Sequence, residues 1–194
     1  DWWLAETSIQ DGRTGTGYYD FLGLKSRRDF ERLVGLDKAA SVRLKREIKA
    51  IIQRSTVAIN NRQIVRFQSI TGGYWTSLDV TRSEGKRNAI RNLDADYKHE
   101  FEEHFAVLPN GLFGYYLSTD AGVQANTAPD NVASDGTSTN PDRRVHAAVS
   151  CIRCHTEGLR PIDDWARKLY IPPVALQSPD YAIYKRNRQL YIAD

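Results

Sequence analysis

Two cysteines and a histidine stand within five residues of one another, about three quarters of the way along the chain. Residues 151–155 read Cys-Ile-Arg-Cys-His, and they include both cysteines of the 194-residue sequence. Two thiols at this spacing can form thioethers with the two vinyl groups of a porphyrin, and the imidazole that follows can reach the iron. We therefore predict one covalent haem c, attached through Cys151 and Cys154, with His155 as the proximal iron ligand.

The cysteine pair has two other chemical uses. A zinc site usually takes four ligands, and the additional ones would have to come from histidines whose spacing matches no common zinc finger: His99, His104 and His146. A thioredoxin-like redox pair would be expected at the start of a helix within a βαβ unit, and the sequence shows no such unit. A structural cysteine pair is the remaining alternative. The spacing favours covalent haem.

The sixth position of the iron is harder to assign than the fifth. The chain contains no methionine, which excludes His/Met ligation from within this sequence. We name His99 as the first candidate for the distal ligand and His104 as the second, because the fold could carry either one over the haem. His146 lies too near His155 for easy access to the opposite haem face. A lysine, a tyrosine, water or a residue from outside this sequence is a further alternative. Bis-histidine ligation would favour electron transfer, and an open position would allow peroxide or gas chemistry.

The two propionates of a bound haem would need hydrogen-bond donors. The side chains that could serve on position alone are Trp75, Tyr115, Tyr116, Arg143, Arg144, Arg153 and Arg160. Each also has an ordinary alternative role, because strand aromatics mostly pack in cores and arginines near loops mostly face solvent.

Length and composition are those of a packed globular chain. A sequence of 194 residues with 41% hydrophobic content can form one substantial domain or two small ones. A formal net charge of +3 does not call for a nucleic acid or an anionic membrane as partner. No apolar stretch is long enough to span a membrane. Because haem is attached to c-type cytochromes outside the bacterial cytoplasm, we expect a periplasmic or extracellular protein, either with its leader already removed or as a fragment of a longer exported protein.

Two helices are predicted before residue 55. Ser26 is an N-cap with Asp29 as its capping-box acid, and Gly35 ends this first helix. Asp37 begins a longer second helix. Its apolar stripe consists of Leu44, Ile48, Ile51 and Ile52.

The middle of the chain favours β-structure. Residues 63–68 and 74–80 are separated by a glycine-containing turn at 71–73, which predicts a hairpin or two neighbouring strands. A second hairpin joins 103–108 to 112–117 through Pro109-Asn110-Gly111, where Gly or Asn can adopt a positive φ.

The predicted fold class is α+β, with helical N- and C-terminal segments around a β-hairpin-rich middle. We expect a single domain over residues 1–194. Its parts are a helical part (1–55), a β-rich part (56–117), a long polar loop (118–145) and the haem motif with terminal helices (146–194). The loop is expected at the surface, or packed over one edge of the porphyrin.

Residues 108–158 resemble a known family. The segment carries Leu-Pro-Asn-Gly-Leu-x-Gly-Tyr, Asp-x-Gly, Ala-Pro-x-Asn-x-x-x-Asp, Pro-Asp-Arg-x-Val and Ser-Cys-x-x-Cys-His-x-x-Gly in that order. This order resembles large exported bacterial proteins with a C-terminal cytochrome c-like region, and residues 18–37 and 60–79 are similar to it as well. In that family a Phe-x-His-Asp-Gly-Gly-Glu motif precedes the hairpin, and His99 and Glu103 match it. The resemblance implies haem binding and export.

The functional expectation is one-electron transfer outside the cytoplasm. The protein would be a monohaem c-type cytochrome, acting with a redox partner protein or as a module of a larger cytochrome assembly. One alternative is a haem enzyme or gas sensor with an open or labile sixth iron site. Another is a structural or binding module that the haem staples together.

Overall fold

The protein is built on a five-stranded antiparallel sheet in which every strand pairs with its neighbour in sequence. The computed structural model describes residues 17–53, 55–58, 60–81, 89, 97–137 and 142–165. The strands are β1 (Ile48–Ile52), β2 (Arg62–Ser69), β3 (Gly72–Asp79), β4 (Phe101–Val107) and β5 (Phe113–Thr119).

Both predicted hairpins are present. Strands β2 and β3 form one, and β4 and β5 form the other, with β3 and β4 paired between them. The turn between β4 and β5 places Gly111 at a φ of 82°, a conformation that glycine adopts without steric cost. The local turn chemistry of the sequence therefore predicts these connections correctly.

The sheet is covered on both faces, and strand alternation decides which residues each face carries. We call one face the helix face; Thr76, His104 and Tyr116 lie side by side on it in register. We call the other the cavity face; on it Trp75 pairs with Phe105, and Phe105 with Tyr115. Because the side-chain period is two, consecutive residues of a strand belong to different faces.

Short helices surround the sheet. They are α1 (Tyr18–Phe21), α2 (Arg27–Leu33), α3 (Lys38–Arg43) and α4 (Val149–Cys154). The Ser26 side chain caps α2 by accepting a hydrogen bond from the Asp29 amide, as the sequence predicts. Phe30 of α2 stacks on Tyr116 with ring centroids 5.6 Å apart, so α2 covers the helix face.

The expected α+β fold with helical terminal segments is wrong, because the sheet dominates the described part of the chain and its helices have only four to seven residues. The longer helix predicted after Asp37 stops at Arg43, and Lys45 has a φ of 53°. The isoleucines that follow form β1 instead. A short apolar run fits helical and strand spacing alike, and β-branched residues favour the strand once β2 offers a partner.

The polar segment 118–145 is more than a surface loop. Val132, Ala133 and Asp135 are buried, and Arg153 of α4 donates a 2.9 Å hydrogen bond to the Asp135 carboxylate. This segment therefore anchors α4 from one side. The terminal helices predicted after the haem motif fall largely within residues 166–194, outside the described residues. Across the described ranges, no helix has both the length and the hydropathy to cross a membrane.

Candidate functional site

Helix α4 presents the two cysteines. Cys151 and Cys154 are three residues apart, so their side chains lie on neighbouring positions of one helix face, and neither is in a disulfide. The helix begins after a strained γ-turn centred on Ala148, whose φ is 62°. In this turn the Val149 amide donates a 2.8 Å hydrogen bond to the Ala147 carbonyl. Burial raises the pKa of Cys151 to about 12 and also raises that of Cys154. Both thiols are therefore protonated at neutral pH in the unmodified chain.

His155 follows α4 directly and is held by its own turn. Its Nδ1 lies 3.1 Å from the Gly158 carbonyl oxygen, and since a carbonyl only accepts, Nδ1 carries the proton. Burial lowers the pKa of His155, so its imidazole is neutral at pH 7 with the lone pair on Nε2. The ring packs against Phe105 at a centroid distance of 5.4 Å. Metal-bound histidines show this same second hydrogen bond, which fixes the tautomer and the ring orientation.

A cavity of about 310 Å³ lies between α4 and the cavity face of the sheet, and Cys151, Cys154 and His155 line it. Its volume falls at the lower end of the range of about 300–1,000 Å³ that is typical of small-molecule sites. Most of its wall is apolar or aromatic. The apolar and aromatic residues are Ile52, Val57, Ile64, Trp75, Phe105, Tyr115, Val145, Leu159 and Ile162.

Part of the polar wall of the cavity is a buried ion cluster. Arg62 donates from Nε to Asp79 at 2.7 Å and from Nη2 to the second Asp79 oxygen at 2.6 Å. The same Nη2 lies 2.9 Å from Glu103 Oε2 and 3.0 Å from the Ser77 hydroxyl. Arg62, Ser77 and Glu103 line the cavity.

His104, the second distal candidate, lies on the helix face. Its Nε2 donates to Ser118 at 3.0 Å, and the single lone pair of its Nδ1 is the acceptor that the hydroxyls of Tyr74 and Thr76 share. Phe105, the next residue, contacts His155 on the cavity face. The ring of His104 is therefore on the other side of the sheet from His155, although His104 is among the residues that border the cavity.

His99, the first distal candidate, belongs to the same helix-face network. Its Nε2 lies 3.0 Å from Glu102, which also binds Arg27 of α2 and accepts from Ser118. Burial opposes ionisation of Glu102, but hydrogen bonds from His104 and His99 hold its pKa well below the usual value. The structure thus places His99 and His104 in one hydrogen-bond network on the helix face, away from His155.

His146 and the proposed propionate donors have separate positions. His146 pairs with Asp142 at 2.9 Å on the surface. Of the proposed donors, Trp75, Tyr115 and Arg160 line the cavity, whereas Tyr116 lies on the helix face. The other three arginines among the proposed donors do not line the cavity. Arg153 binds Asp135, Arg144 pairs with Asp130, and Arg143 is exposed.

The chemistry of this site fits a covalent haem better than the other uses of the cysteines. Two thiols on one helix face and a neutral, oriented imidazole open on a largely apolar cavity. A thioredoxin-like pair would need a thiol with a lowered pKa, and both thiols have raised pKa values. The ranges that the structure describes contain no group of three or more His, Cys, Asp or Glu side chains placed to hold a metal ion, as zinc would require.

We did not predict the ion cluster of Arg62, Asp79 and Glu103 as part of the site. Its residues come from three different strands, and only their pairing brings them together. Two features of the sequence point to Glu103. It matches the motif of the family that the chain resembles, and alternation along β4 places it two residues before Phe105, on the same face.

No family model, curated protein or solved structure matches the chain in the three comparisons.

Proposed function

We propose that the protein is a monohaem c-type cytochrome that transfers single electrons outside the cytoplasm. The observation that carries this proposal is the state of His155: a neutral imidazole with its Nδ1 proton donated to Gly158 and its Nε2 lone pair unused among the described residues. The ring stands next to two thiols that open on the same cavity. These are the three protein groups that a covalently attached haem requires.

Each part of the chain has a distinct task in this proposal. Cys151 and Cys154 provide the thioether links, and His155 provides the proximal nitrogen. Phe105 and Tyr115 give the sheet side of the cavity much of its apolar surface. The Arg153–Asp135 ion pair holds α4 against the segment at 118–145. When bound, haem supplies a reversible one-electron couple, which the polypeptide lacks.

A second function, chemistry on a small molecule bound at the iron, is favoured by the placement of the histidines. Among the described residues, His155 alone of the four histidines directs its ring to the cavity side, and the sequence has no methionine. An iron without a sixth protein ligand binds diatomic gases or peroxide.

An optical spectrum of the reduced protein, with and without carbon monoxide, separates the two functions. Electron transfer with the sixth position filled, by a lysine or tyrosine of this chain or by a residue from outside this sequence, predicts a sharp low-spin α band that carbon monoxide leaves unchanged. A high-spin spectrum that shifts on addition of carbon monoxide would reject it in favour of the second function. A variant with His146→Ala is the matched control, because His146 is a surface residue paired with Asp142, and its spectrum should equal that of the wild type.

The same proposal includes location and partners. Because c-type haem is attached outside the bacterial cytoplasm, we place the protein in the periplasm or at the cell exterior. Its partner would be a redox protein or the remainder of a larger cytochrome assembly. Fractionation of the native cells, followed by haem staining, should find the covalently bound haem outside the cytoplasm; a cytoplasmic haem-free chain would contradict this.

A further inference from the structure

The buried ion cluster on the cavity face carries more negative than positive groups. Arg62 is one guanidinium, and it faces two carboxylates, those of Asp79 and Glu103. The Arg62 and Asp79 side chains are only 7% and 3% exposed. Asp79 takes two hydrogen bonds from Arg62 in a forked arrangement, which is the strongest geometry for such a pair. Arg62 Nη2 also contacts the Ser77 hydroxyl and Glu103, the latter through Oε2.

The second carboxylate oxygen of Glu103, Oε1, is buried and makes no hydrogen bond within the described part of the chain. Buried polar atoms without partners are rare in native structures, and each needs a reason. Glu103 lines the same cavity as Cys151, Cys154 and His155.

The field of Glu103 reaches the haem-attachment side of the cavity. After burial, Glu103 is the second cause that raises the pKa of the Cys151 thiol, and it also contributes to that of Cys154. Burial raises the pKa of Glu103 itself, and Arg62 opposes that rise. Charges in such surroundings interact more strongly than in water because little solvent screens them. Besides Glu103 and the two cysteines, the charged or titratable residues that line this cavity are Arg62, His104, Tyr115, His155 and Arg160.

We propose that the negative charge of the Glu103 carboxylate stabilises the oxidised state of the haem in this cavity and so lowers the midpoint potential of the haem. The inference rests on the proposed function, because it requires a haem held by Cys151, Cys154 and His155. Oxidised haem iron carries one more positive charge than reduced iron, and a nearby carboxylate favours the more positive state. The electron that reduces the iron comes from a redox partner protein, or from a mediator in a titration.

The test is a potentiometric titration at pH 8 of the haem-loaded protein and three variants. Glu103→Gln removes the charge and keeps the shape, and Glu103→Asp keeps the charge. Glu102→Gln is the matched control, since Glu102 is the adjacent residue of β4 and lies on the helix face. The expected result is a rise in potential for Glu103→Gln that corresponds to roughly a tenfold shift in the oxidised-to-reduced ratio, about 59 mV for a one-electron couple.

The controls make each outcome decisive. Glu103→Asp should stay close to the wild-type potential, and Glu102→Gln should shift it much less than Glu103→Gln does. If Glu103→Gln does not fold, Glu103→Ala replaces it with the same expected direction. An unchanged or lower potential in the charge-removing variant would overturn the proposal. Haem content, measured separately from the spectrum of each purified protein, distinguishes this failure from failure of the proposed function, in which the wild type itself would contain no haem.

Discussion

The imidazole of His155 and the carbonyl of Gly158 are joined by a hydrogen bond of 3.1 Å, and the Gly158 amide donates back to the His155 carbonyl at 3.0 Å. The turn that allows both bonds puts Gly158 at a φ of 86°, in the left-handed region that favours glycine. The sequence Cys-x-x-Cys-His-x-x-Gly thus contains the proposed iron ligand and the residue that orients its ring.

Replacement of Gly158 by alanine should disturb the haem site through the backbone alone. A Cβ atom at this position would meet only Phe113 at 3.8 Å, an ordinary contact, so the cost is conformational and of about 1 kcal/mol. The matched control is Gly111→Ala, which also has a positive φ and open space around it. Chemical denaturation should show a similar loss of stability for both variants, and only Gly158→Ala should alter the absorption spectrum. A spectrum identical to that of the wild type would contradict the orienting role.

His155→Ala should remove the proximal nitrogen without removing the thioethers. The haem should stay attached through Cys151 and Cys154, and the spectrum should lose its low-spin features or change strongly. His146→Ala serves as the comparison, because its ring is paired with Asp142 on the surface. Equal spectra for the two variants would show that His155 is not an iron ligand.

His99 and His104 should prove structural. Because both rings are committed to the helix-face network, His99→Ala and His104→Gln should leave the spectrum of the haem protein unchanged. His104→Gln should lower the free energy of unfolding by about 1–3 kcal/mol, since the buried ring serves Tyr74, Thr76 and Ser118. Loss of a low-spin spectrum in either variant would restore that histidine as the distal ligand.

The contrast between these histidines shows how far the sequence could predict the site. Cys151, Cys154 and His155 are neighbours in the chain, so their spacing alone predicts a common site. The position of His104 depends on which face of β4 meets the cavity, and that is decided by the packing of α2 on Tyr116 and of His155 on Phe105. Such contacts join residues far apart in sequence, and no local pattern contains them.

The fold divides in the same way. The β4–β5 turn and the cap of α2 follow from residues within a few positions of each other, and both were predictable. Strand β1 was not, because its isoleucines become a strand only when β2 pairs with them. Local propensity could not decide between a helix and a strand for so short a run.

Acid should destabilise the fold through the helix-face network. Burial lowers the pKa of His104, so the folded state loses stability as the pH falls below about 6.5, where the unfolded chain binds the proton more readily. The lowered pKa of Glu102 gives stability that is present above about pH 4.5 and is lost as the pH falls further. Both effects have the same sign, so the free energy of unfolding should decrease steadily from pH 7 to pH 3.

A pH series of denaturation curves checks this prediction. Glu102→Gln should cost about 2 kcal/mol at pH 7, because Arg27 and His104 lose a charged partner, and it should flatten the dependence below pH 4.5. Glu157→Gln changes an exposed carboxylate and should follow the wild type. A Glu102→Gln curve parallel to that of the wild type at low pH would reject the role assigned to Glu102.

Covalent attachment of haem is the central claim, and it can be measured directly. The chain is exported in a host with c-type haem maturation, purified, denatured and digested, and the peptide that contains residues 151–155 is identified by mass spectrometry. We predict one haem per chain on that peptide, held by both Cys151 and Cys154, and its loss when both are replaced by serine. A peptide with two free thiols, from cells that mature a control cytochrome c, would contradict the account.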